Sequence, residues 1–133
     1  MKKRMLAALA VLFLLLPAAG CSRYVSHYRA LAFVRMDTGT RCDLSFSSLD
    51  GTYVTRVKNK SDEARILDVS AALQEGSMRV YFDMDGEKTL LFDTAAGQTQ
   101  AELRVERREK VYLIIETDGK CRDGAFSADF REE

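Results

Sequence analysis

Much of the chain alternates apolar and polar residues. Met78-Arg79-Val80-Tyr81-Phe82-Asp83 puts Met, Val and Phe on one face, and Ala101-Glu102-Leu103-Arg104-Val105-Glu106 alternates the same way. So do Cys42-Asp43-Leu44-Ser45-Phe46 and Phe126-Ser127-Ala128-Asp129-Phe130. A period of two marks strands buried on one face. Val111-Tyr112-Leu113-Ile114-Ile115 is more apolar and reads as a central strand. Strands are predicted at 30–35, 41–49, 52–58, 64–73, 78–83, 88–94, 101–106, 111–117 and 125–130. Turn signals separate them: Asp50-Gly51, Asn59-Lys60-Ser61-Asp62, Glu75-Gly76-Ser77, Asp85-Gly86, Ala96-Gly97-Gln98, and Asp118-Gly119 to Asp123-Gly124. Glu63 to Leu73 also fits a helix, with Ala64, Leu67, Ala71 and Ala72 on one face. Its alternation of Leu67, Val69, Ala71 and Leu73 favours a strand. Eight or nine short strands predict an all-β, antiparallel β-sandwich, jelly-roll or Ig-like, ahead of a barrel.

The first 22 residues follow another pattern. Lys2, Lys3 and Arg4 precede an uncharged apolar run from Met5 to Leu16, followed by Pro17-Ala18-Ala19-Gly20-Cys21. A positive start, an apolar core and small residues are the order of a secretory signal peptide. A transmembrane helix is the competing reading, but Pro17 and Gly20 leave only the 12 residues of Met5–Leu16 confidently helical, too few to span a bilayer. An ordinary cleaved signal, with Cys21 incidental, is the other.

The small-small-Cys ending resembles the lipobox of bacterial lipoproteins. That resemblance implies cleavage before Cys21, lipidation of its thiol, and anchoring by two or three acyl chains, enough for stable attachment. Ser22 after the cysteine does not signal inner-membrane retention. The chain also resembles small bacterial lipoproteins that begin with a segment like Ser22-Arg23-Tyr24-Val25-Ser26-His27-Tyr28 and end with one like Val111-Tyr112-Leu113-Ile114-Ile115-Glu116-Thr117-Asp118-Gly119-Lys120-Cys121. This second resemblance implies class and location, and no mechanism. The expected organisation is a signal peptide at 1–20, a lipidated N-terminus and tether at 21–29, and a β-sandwich domain at 30–133. The expected location is extracytoplasmic and lipid-anchored, on the cell membrane or on the outer membrane of a diderm source.

Charge narrows the partners. Three of the 20 basic residues lie in the signal, leaving 17 basic against 20 acidic residues, a net charge near −3. That excludes the basic patch nucleic acid needs and leaves attachment to the lipid. The remaining partners are an envelope protein, a peptide or a glycan.

Catalytic and metal chemistry find little support. His27, the single histidine, stands without Gly-x-Ser-x-Gly or His-Glu-x-x-His around it. Asp83-Met84-Asp85-Gly86-Glu87 resembles the start of a calcium loop, but it lies between two strands and Lys88 follows where a further oxygen ligand would help. No cofactor, metal or catalytic residue is expected. Glu102, Glu106, Asp43 and Asp129 fall on the polar faces of strands, as a solvated surface. Five tyrosines (24, 28, 53, 81 and 112) are the only material for an aromatic platform, and Tyr81 and Tyr112 both face outward as a candidate binding surface. The expected function is a non-enzymatic binding or structural accessory module. The alternatives are an inhibitor or immunity-like lipoprotein blocking a protein partner, and a cell-envelope hydrolase.

Two further expectations follow from counting strands. Cys42 and Cys121 are an exported thiol pair and a candidate disulfide, although alternating strand directions place them at opposite ends. The same count sets the start of the first strand, and the loops at 50–51, 74–77, 95–100 and 118–124, toward the bilayer. The charged loops at 37–41, 58–63, 85–88 and 106–110 then point into water.

Overall fold

In a computed structural model the described residues are 24–133; the expected signal peptide and Cys21 lie outside them. The chain is all-β: one antiparallel sheet of seven strands. The strands are β1 (His27–Leu31), β2 (Val34–Asp37), β3 (Arg41–Lys58), β4 (Arg65–Asp83), β5 (Thr89–Asp93), β6 (Gln100–Val105) and β7 (Lys110–Glu132), with a 3-10 turn at Thr94–Ala96 before β6.

Three long strands, in the order β3-β7-β4, run through the whole sheet. Each was expected as two short strands separated by a turn. The Asp50-Gly51, Glu75-Gly76 and 118–124 segments are instead bends within continuous strands, where the pairing slips between Leu49 and Thr52 and between Glu75 and Ser77. Such bulges turn the strand and change which residues face inward. In β3 the buried positions are Cys42, Leu44 and Phe46 before the bend and Tyr53 and Val57 after it. In β4 they are Leu67, Val69 and Ala71, then Met78 and Val80. The inward parity flips, so both halves feed one core cluster.

The three bends align as a crease, and the sheet folds over on itself. The first leaf has the order β2-β3-β7-β4-β6, using residues 41–49, 122–132 and 65–75 of the long strands. The second has β3-β7-β4-β5, using residues 52–58, 110–117 and 77–83. β1 pairs with residues 48–52 of β3, along the crease. The far ends of the leaves meet. Lys58 N donates to Gly39 O at 2.7 Å, and Thr55 Oγ1 and Tyr53 OH both reach the Asp37 carboxylate across the interior. The expected sandwich is present as one folded sheet. The helical alternative for 63–73 loses because that segment is paired on both sides, by β6 and β7.

Gly51 shows why the crease needs glycine. Its φ is +128°, and a Cβ there would stand 2.3 Å from His27 O. Any side chain would push β1 off the sheet.

The segment entering the fold also departs from expectation. β1 starts at His27, inside the stretch read as tether, and Tyr24 already packs where β4 ends and β7 begins. That is the end away from the crease, so residue 24 lies near the charged loops at 85–88 and 106–110, while the start of β1 lies beside the 50–51 segment as counted.

Candidate functional site

The outer face of the second leaf is a grid of side chains set by register. Across β3, β7 and β4, one row is Arg56, Tyr112 and Asp83; the next is Val54, Ile114 and Tyr81; the third is Thr52, Glu116 and Arg79. Leu90 of β5 extends the middle row, opposite Tyr81. Tyr81 and Tyr112 therefore share the outer face, one row apart on adjacent strands, as the period-two reading placed them. They do not form a bare platform. Tyr112 meets the Tyr24 ring edge-on at 5.4 Å between centroids, and Lys88 Nζ sits 4.4 Å from the centre of the Tyr81 ring. Lys88 also pairs with Glu116. Between the two tyrosines, Ile114 is only 1% exposed although it points away from the core cluster.

Three residues strap the chain's entry across this face. Ser26 Oγ accepts from Val54 N at 2.8 Å, continuing the edge where β1 leaves off. Tyr24 then lies over β7 and donates its hydroxyl to Asp83 Oδ2 at 2.6 Å. Asp83 is 3% exposed, and its other oxygen accepts from Gly86 N at 2.6 Å. One carboxylate thus fixes both the strap and the β4–β5 turn. The calcium-loop fragment is used for that turn, with Asp85 Oδ1 accepting from Glu87 N. Among the described residues no group of three or more His, Cys, Asp or Glu side chains could hold a metal ion.

The other sequence candidates lie apart. His27 is exposed on β1. The candidate Cys42–Cys121 disulfide is not formed: both thiols are free and buried. Register sets Cys42 opposite Ala128 and Cys121 opposite Leu49, so the cysteines lie about 20 Å apart along the leaf, against about 7 Å between Cα atoms for a bond. Burial pushes the Cys42 thiol up to about 12 and raises Cys121 as well. Thiols held neutral in this way are poor nucleophiles.

The outer face of the first leaf is a lattice of charges. Arg131 reaches Asp68 at 2.7 Å and Glu102 at 2.9 Å, Arg104 reaches Glu133 at 2.7 Å, and Arg41 reaches Asp129 at 3.8 Å. An open groove of about 540 Å3 lies there, lined by Asp68, Ser70, Gln100, Glu102 and Arg131. Its two carboxylates, Asp68 and Glu102, share the Arg131 guanidinium.

Sequence reasoning missed two residues that organise the fold. Asn59, read as part of a turn, is 2% exposed and its amide reaches Glu63 O, Val105 O and Glu106 O, closing the far ends of the leaves. The sequence reading has Tyr24 as material for an aromatic platform within a tether, not as a packed residue. An aromatic so close to the first strand was the available signal.

No known protein family matches the chain, and no curated protein matches it. Among solved structures, it is similar to a family GH115 4-O-methyl-alpha-glucuronidase with specificity for decorated arabinogalactans. The identity is 10% and the TM-score 0.32, over 85% of this chain and 18% of that one. A likeness that slight transfers neither fold nor chemistry.

Proposed function

We propose that the chain is a lipid-anchored extracytoplasmic module of a bacterial envelope, acting by binding or as a structural accessory and without catalysis. The observation that carries this reading is the junction between Cys21 and Tyr24. A lipobox-like segment ends at Cys21, and three residues later Tyr24 is packed and hydrogen-bonded on the sheet. The junction passes from an apolar leader to a packed domain within three residues. The carboxylates of the first leaf, paired with arginines on an open face, support a binding surface over an acid–base site. The test is Cys21→Ala in the producing cell. The variant is expected to take up no labelled palmitate, and either to leave the membrane fraction or to accumulate as uncleaved precursor. An Ala variant that stays on the membrane with its signal removed contradicts the proposal.

A second reading, an inhibitor or immunity-like lipoprotein, draws on the β1–β2 edge. Leu31 and Val34 are each 65% exposed and Met36 57%, an apolar edge of the kind a protein partner covers. Val34→Glu and Met36→Glu should then abolish inhibition of that partner while leaving lipidation intact. Unchanged inhibition argues against this edge.

A further inference from the structure

We infer that the domain stands on the bilayer in a fixed orientation. The end carrying the 84–88 turn and the start of β7 is set against the lipid headgroups, and the crease points away from the membrane. This rests on the reading of Cys21 as the lipidated residue.

A tether orients nothing if it is long and free. Here three residues link Cys21 to Tyr24 in the sequence, and a chain of that length can span at most about 10 Å. Tyr24 has a defined place: its ring is on Tyr112, the third residue of β7, and its hydroxyl is on Asp83, the last residue of β4. Asp83 in turn holds Gly86 N, so the 84–88 turn is tied to the same carboxylate as the strap. The acyl chains therefore emerge beside that turn. The crease lies about 20 Å further along β7, from Tyr112 to Asp118, beyond the reach of the anchor.

The chemistry of the two ends fits this placement. Around the lipid-side end, charges of both signs are exposed: Asp85, Glu87 and Lys88 in the turn, and Arg107, Arg108 and Lys110 before Tyr112. Mixed charges are at home among phosphate and ammonium headgroups, and the acyl chains supply the binding energy. The crease end, with Glu75, Arg122 and the groove beside Asp50 and Lys120, is then the surface offered to whatever crosses the aqueous space.

The test uses the full lipidated chain reconstituted in phosphatidylcholine vesicles that contain spin-labelled headgroups. An environment-sensitive fluorophore is attached at Glu87→Cys in one variant and at Gln74→Cys in another, both exposed positions. Labelling is done under native conditions, where the two buried thiols react slowly. Loss of most fluorescence at 87, with little loss at 74, is expected. Tyr24→Ala should narrow that difference while vesicle binding persists. Equal quenching, or stronger quenching at 74, in vesicle-bound protein overturns the orientation and leaves the lipid anchor standing. Failure of the wild-type chain to float with vesicles at all overturns both.

Discussion

The two leaves share three strands and one core, yet their outer faces are finished in different ways. The first leaf turns a lattice of ion pairs to water: Arg131 with Asp68 and Glu102, Arg104 with Glu133. The second turns out Val54, Ile114, Tyr81 and Tyr112, with the chain's entry segment on Val54 and Tyr112 and Lys88 over Tyr81. Solvated charges can end a sheet face at little cost or gain, because exposed pairs contribute only about 0–1 kcal/mol. An apolar face needs a cover, and here the cover is the segment that would lead to the membrane.

If this contrast is right, Ile114→Ala should be the most damaging of the outward substitutions. Truncating a buried Ile costs about 2–5 kcal/mol, and equilibrium denaturation should show a loss in that range. A cost below about 1 kcal/mol would mean that the face is not sealed.

Cys42 sharpens the picture from the first leaf. Its thiol is held up to about 12 by burial, against an ordinary value of 9.0. The folded chain therefore keeps the proton that the unfolded chain gives up. Stability from this source is complete below about pH 9 and is lost as pH rises toward 12. Cys42→Ala should show a flatter stability profile than wild type across that window. Parallel profiles would mean the thiol is more solvated than the structure shows.

The strap comes next in size. Tyr24→Ala should cost about 1–2 kcal/mol, with roughly half from the ring on Tyr112 and half from the hydrogen bond to Asp83, so that Tyr24→Phe retains part of it. Amide exchange should quicken at residues 54, 83 and 112 and stay unchanged on the first leaf. Uniform quickening would break the assignment of the strap to one leaf.

The smallest effect belongs to Arg131→Ala, at under about 1 kcal/mol because all its partners are exposed. A larger loss would show that the ion-pair lattice holds the first leaf together, and the contrast between the leaves would fail.

Alternation made the sheet legible in the sequence. The alternating Leu67, Val69 and Ala71 are all buried, as a period of two requires of one strand face. The crease was not legible. Asp50-Gly51, Glu75-Gly76 and Asp118-Gly119 carry the composition of hairpin turns, and a bulge that bends one strand uses the same residues. What separates the two cases is pairing: residues 42–49 and 52–58 both lie against β7 rather than against each other. That information sits 52 to 86 positions away in the chain. For the same reason the outward pair Tyr81 and Tyr112 was legible from a period of two, and its partners were not. Tyr24 meets Asp83 across 59 positions, and no local pattern announces that contact. Strand counting places the start of β1 beside the 50–51 segment, where it lies, but not the run of the chain before it.

The central claim is that the entry segment is a lipid tether. Intact mass spectrometry of the protein extracted from its membrane tests it most directly. The account predicts a chain beginning at Cys21, heavier than the bare polypeptide by a diacylglyceryl group, with or without a third acyl chain. An unmodified chain, whether it begins at residue 1 or at any residue after cleavage, would contradict it.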